Sequence, residues 1–227
     1  MRAFERWSVV LAVVITAGTI ALPADAQETV TEPAQKVAVE GTYIRIGFND
    51  EGWVTMGFRT ANNSVGEEWM LLEVGMTVQK SVADYTLNRS DIALVTPGPK
   101  VVQLATQSEF QEAGYLRALN ERANIARDSV NYFPPAASRG CAISFFANPA
   151  GGAGSRLARD KVDLSPNRAC VGRLYFHIPD GIELGQHNLA VKFADSTIKV
   201  PFTIMTKDEA KEFEKKWKEA RKQAKKK

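Results

Sequence analysis

From Lys36 to Ile204 the apolar residues come in short runs, many alternating with polar ones, and most runs end in clusters of Gly, Asn, Asp or Pro. Alternation throws successive side chains to opposite faces of an extended chain, so these runs read as strands rather than long amphipathic helices. Val37, Val39, Tyr43, Ile44 and Ile46 open the series. Asn49-Asp50-Glu51-Gly52 supplies a hairpin turn before Trp53, Val54, Met56 and Phe58. Residues 61–68 (ANNSVGEE) form a turn-rich loop. Trp69 to Met76 is almost continuously apolar, as in a central strand covered on both faces. Ile92–Val95 and Val101–Leu104 flank the turn Thr96-Pro97-Gly98-Pro99, and later strands are expected at Ala142–Phe146, Val171–Ile178, Asn188–Phe193 and Thr197–Ile204. About nine or ten short strands separated by turn signals favour a two-layer, all-β sandwich over an α/β fold.

Two helices interrupt the pattern. Ser108 to Arg127 carries Phe110, Ala113, Leu116, Leu119, Ala123 and Ala126 at helical spacing, with Ser108 and Gln111 as a capping box. This excursion is expected to cover an end or edge of the sandwich. A second helix starts at the box Thr206–Glu209 and fills residues 206–227. Glu212/Lys216 and Glu214/Lys218 are favourably oriented i, i+4 pairs, and Ala210, Phe213 and Trp217 form an apolar stripe.

The first 26 residues have a different design. Arg2 and Arg6 precede an apolar stretch from Trp7 to Leu22, and Ala24-Asp25-Ala26 places small residues where a signal peptidase needs them. The segment therefore reads as a cleaved secretory signal peptide, with a short polar linker over residues 27–35. A membrane-spanning helix needs about 20 apolar residues, and this stretch is shorter. The expected location is the periplasm or the medium. Two cysteines, Cys141 and Cys170, suit such an oxidising compartment as one structural disulfide. Two cysteines and two histidines at unrelated spacings form no zinc ligand set, and no other metal or cofactor is indicated.

Charge is concentrated at the other end. Lys207–Lys227 holds ten basic and five acidic residues, whereas Gln27–Thr206 holds 17 basic and 19 acidic ones. A near-neutral body argues against nucleic-acid binding. Lys215, Lys216, Lys218, Arg221, Lys222 and Lys225 could meet an anionic membrane surface or an acidic partner, at about 1 kcal/mol per charge. The alternative is a solvated helix that aids solubility.

Gly172-Arg173-Leu174-Tyr175-Phe176-His177-Ile178-Pro179, followed by Asp180-Gly181, is similar to a G-x-L-x-F-x-V-P run of bacterial telokin-like, immunoglobulin-like extracytoplasmic domains. Trp69–Val74, Asp91–Val95 and the closing pair Leu189–Val191 and Val200–Ile204 resemble other strands of those domains. The resemblance implies an immunoglobulin-like β-sandwich, here with an inserted helix and a C-terminal basic helix, and a binding or structural role. The Ser108–Arg127 helix and the disulfide depart from that pattern.

Signatures of catalysis are missing from the sequence. There is no G-x-S-x-G or H-E-x-x-H motif, and Gly151–Ser155 lacks the lysine of a phosphate loop. His177 reads as an outward or edge-facing side chain, and His187 as a residue at the start of a strand, in a turn after Gly185-Gln186. Acidic pairs such as Glu67-Glu68 or Asp160/Asp163 are unremarkable in a chain of this composition. A hydrolase would need a concave site joining His177 or His187 to a carboxylate. The sequence therefore points to an exported binding or assembly module, with a structural envelope protein held by its basic tail as the alternative. Trp53 and Trp69 begin apolar runs and read as core; Tyr115 is a further aromatic candidate. The best contact surface is Tyr132-Phe133-Pro134-Pro135 with Arg139, because an aromatic pair beside two prolines is hard to bury entirely.

Overall fold

A computed structural model describes residues 34–114, 116–147 and 157–224, all within the unit Glu32–Lys227. The expected signal peptide, most of the linker, Tyr115, the Gly151–Ser155 segment and Lys225 lie outside the described residues. Among the described residues the fold is mostly β, with 12 strands in three sheets and four helices.

The chain opens with an antiparallel meander, β1 (Lys36–Glu40), β2 (Ile44–Phe48) and β3 (Gly52–Gly57). Its turns follow from local chemistry. Gly41 adopts a φ of 70°, and the Asn49 side-chain oxygen accepts from the backbone N–H groups of Glu51 and Gly52. A short helix, α1 (Arg59–Asn62), then leads into β4 (Trp69–Val78), whose residues are all buried. Antiparallel to β4 lies β10 (Arg168–His177), and β8 (Arg139–Ile143) closes the six-stranded sheet by pairing parallel to β10. The second sheet has four strands in the order β12 (Thr197–Ile204), β11 (Gly185–Lys192), β6 (Ile92–Val95) and β7 (Val101–Gln103). A separate ribbon pairs β5 (Tyr85–Asn88) with β9 (Lys161–Leu164).

The two larger sheets face each other across one apolar core. Val54, Met56, Leu72, Val74, Leu174 and Phe176 come from one side, and Leu94, Leu189, Val191, Ile198 and Val200 from the other. The approach is close: a Cβ on Gly47 would lie 2.8 Å from Val200 Cγ2, so glycine lets β2 and β12 meet.

Several expectations change. β8 begins three residues before the expected Ala142–Phe146 strand, and Phe145 and Phe146 leave it to fill the core as buried side chains. β5 and β9 carry too few alternating apolar residues to stand out in the sequence. The expected helix over residues 108–127 is two helices, α2 (Gln107–Glu112) and α3 (Leu116–Ile125). Its capping box is Thr106 with Glu109, not Ser108 with Gln111. Ala105 N–H still donates to Tyr175 O, so the extended chain ends there and Thr106 takes the cap, while Ser108 donates to Glu112. Gly114, a poor helix former, lies at the break.

Cys141 and Cys170 form a disulfide between directly paired residues of β8 and β10. The final helix, α4 (Lys207–Ala224), is capped by Thr206 and Glu209, and no described helix is long and apolar enough to cross a membrane.

Candidate functional site

The six-stranded sheet has a second face, away from the apolar core, and there the strands carry charge. Glu73 of β4 and Arg173 of β10 are directly opposed across the strand pair. Helix α3 lies over them because Leu116, Leu119 and Ala123 are buried. Asn120 and Asn124, four residues apart and therefore on one helix face, reach the same place. After α3 the chain continues as a strap over this face. Asp128 binds Arg59, Val130 is buried, and Phe133 packs so closely on Gly75 that a Cβ there would sit 2.5 Å from its ring.

Together these elements enclose a cleft of about 320 Å³, at the small end of ligand sites, which run from about 300 Å³ upward. Arg173 organises its floor, donating to Asn120 Oδ1 at 2.9 Å and Asn124 Oδ1 at 2.7 Å, with Glu73 Oε1 at 3.4 Å. Tyr175 Oη donates to Asn120 Oδ1 at 2.6 Å, and Asp128 N–H donates to Glu73 Oε2 at 2.9 Å. Arg127 stands at the cleft with its Nε 3.5 Å from Glu73 Oε1. Phe110 and Phe146, which pack edge-on and tilted against Tyr175 and each other, give the remaining wall an apolar surface.

Burial governs the titration of this group. It pushes the Glu73 carboxyl above its ordinary range, and Arg173 pulls against that shift. Burial likewise raises the Tyr175 hydroxyl, which stays protonated as a donor. The arrangement orients polar groups over an apolar wall, which is chemistry for holding a small molecule.

None of the residues lining the cleft was read as a site from the sequence, although Phe133 in the strap belongs to the expected contact surface. The legible signal was a charge inside an apolar strand: Glu73 within residues 69–76 and Arg173 within residues 172–178.

The sequence candidates lie elsewhere. Trp69 is buried and stacks on His177 at 4.9 Å, whereas Trp53 is half-exposed and stacks on Phe48. Of the expected contact surface, Tyr132 and Arg139 are exposed, but the Phe133 ring is packed on the sheet and the Tyr132 carbonyl accepts from Trp53 Nε1 at 2.7 Å. His177 Nε2 lies 3.7 Å from Glu68 Oε2, and neither residue lines the cleft. His187 lies near the start of a strand, as expected, but not in a turn. It sits within β11, fully buried, with Nδ1 3.1 Å from Gly185 O and its ring stacked on Phe202, and burial lowers its pKa. Glu67 pairs with Arg122, Asp160 with Arg89, and Asp163 accepts from Thr86, so these acids have structural partners.

The basic helix is anchored at its start. Ala210 is buried, and the buried Arg45 guanidinium lies between the Phe58 and Phe213 rings at 5.0 and 5.2 Å, where burial lowers its pKa to about 10. Lys215, Lys216, Lys218, Arg221 and Lys222 are all exposed.

Comparison with known proteins finds no matching protein family, no matching curated protein and no matching solved structure.

Proposed function

We propose that this chain is an exported, non-catalytic binding module of the periplasm or the medium, and that it holds a small ligand in the cleft beneath α3. The observation that carries this reading is the pair of buried Glu73 and half-buried Arg173, joined by Asn120, Asn124 and Tyr175 and left beside open volume rather than packed away. An immunoglobulin-like sandwich of the telokin-like kind is the frame we assign to it. The facing sheets support that assignment, and the parallel β8–β10 pair and the β5–β9 ribbon would be additions to the frame. Export is supported by the leader pattern and by the Cys141–Cys170 disulfide.

A thermal-shift screen of the mature protein against small polar metabolites tests the cleft. A ligand at about 100 times its Kd should add about 2.7 kcal/mol, or roughly 5–10 °C for a domain of this size. The shift should disappear in Asn124→Trp, which fills the cleft from an exposed helix position. Failure of every compound, or shifts unchanged in that variant, would overturn the reading.

A second reading rests on α4, whose residues beyond Trp217 are exposed in every described position. Here the protein is a structural envelope component held at an anionic surface by its tail. Co-sedimentation with anionic vesicles, with and without residues 207–227, tests it; binding that is equal for both chains would remove it.

A further inference from the structure

We infer that the cleft takes a small organic monoanion, a carboxylate carried on an apolar or aromatic body, and that Arg127 captures its charge. This rests on the binding role proposed above. The reason lies in which polar groups of the cleft are already engaged. Both Glu73 oxygens have partners: Oε1 faces Arg173 and Arg127, and Oε2 accepts from Asp128 N–H. Asn120 Oδ1 accepts from Arg173 and Tyr175, and Asn124 Oδ1 accepts from Arg173. The side-chain acceptors of these residues are therefore taken.

The donors are not exhausted. Asn120 Nδ2 goes to Leu116 O, but Asn124 Nδ2 makes no hydrogen bond among the described residues. Neither does Arg127, which meets Glu73 only at 3.5 Å and has a side chain 66% exposed. Arg173, by contrast, is 19% exposed and bonded through both terminal nitrogens. One carboxylate thus stands against two guanidinium groups, leaving the cleft with one unit of positive charge. A ligand that completes this set brings acceptor oxygens and a single negative charge, and a planar carboxylate can meet a guanidinium through two parallel hydrogen bonds. Phe110, Phe146, Val130 and Ile143 line the remainder, and only an apolar body would displace water from them favourably.

Isothermal titration of the mature protein with benzoate and its neutral isostere benzamide tests the inference, with phenyl phosphate as the dianionic arm. Benzoate should bind at least about tenfold more tightly than either. Arg127→Gln should lose about tenfold for benzoate and little for benzamide, and Arg127→Lys should recover part of the loss. Arg127 is exposed, so its melting temperature should hold in both variants, which separates capture from folding. Equal affinity for benzoate and benzamide, full benzoate affinity in Arg127→Gln, or no benzoate binding at about 10 mM would each overturn the inference. A preference for phenyl phosphate would also overturn it. If neutral compounds shift the wild type in the screen while carboxylates do not, the cleft still binds ligands and only the charge assignment falls.

Discussion

The two faces of the β4–β10 strand pair are built from alternate residues of the same ten-residue strands, yet they are opposites. Leu72, Val74, Leu174 and Phe176 point into the core and meet another sheet, so that face is closed by packing. Glu73, Arg173 and Tyr175, one residue along, meet a helix and an irregular strap, and that face keeps a cleft. The difference follows from what covers each face. A sheet presents a regular apolar surface that interdigitates with little residual space. A helix of ten residues with asparagines at Asn120 and Asn124 cannot fill the same area with apolar atoms, so polar groups must satisfy one another there. One alternation in sequence thus separates a packing surface from a recognition surface.

Mutations should separate the faces by size of effect. Phe176→Ala removes a fully buried ring from the inner face and should cost about 3–5 kcal/mol, measured by urea denaturation with an unchanged m value. A loss no larger than that of an outer-face change would break the contrast. On the outer face, Glu73→Leu strands Arg173 and the Asp128 N–H and should cost roughly 2–3 kcal/mol at neutral pH.

The faces should also differ in the sign of their pH dependence. The folded state raises the Glu73 pKa above its ordinary 4.5, so its contribution to stability is greatest below that value and is lost as pH rises through the folded pKa. Glu73→Gln should remove this loss, seen as a flatter stability profile upward from pH 4.5. On the inner side, in β11 of the facing sheet, the folded state lowers the His187 pKa below 6.5, with Glu183 opposing the shift, so its contribution is present above 6.5 and is lost as pH falls through the folded pKa. His187→Phe should weaken the acid-side slope below pH 6.5 by at most about one proton, the smallest effect of the set. If both variants changed the profile with the same sign, the distinction between the faces would fail.

Much of the frame was legible because strand periodicity and turn chemistry are local. Asn49 and Gly52 mark the β2–β3 turn, Pro97 and Gly98 the β6–β7 turn, and the nearly continuous apolar run from Trp69 marks a strand buried on both sides. Thr206 and Glu209 mark the start of α4 in the same way. The parallel pairing of β8 with β10, beyond the contact that the Cys141–Cys170 bridge implies, and the β5–β9 ribbon were not legible. They join segments far apart in sequence through backbone hydrogen bonds that any residue except proline can make.

The cleft divides along the same line. The sequence by itself determined that Glu73 and Arg173 interrupt apolar strands and that Phe133 sits in a proline-flanked loop. Only the tertiary structure decided that those two charges, 100 residues apart, face each other beneath Asn120 and Asn124, and that the Phe133 ring turns inward onto Gly75. Alternation encodes which residues share a face. What covers that face depends on how distant segments bury their remaining apolar surface, and no local pattern carries that information.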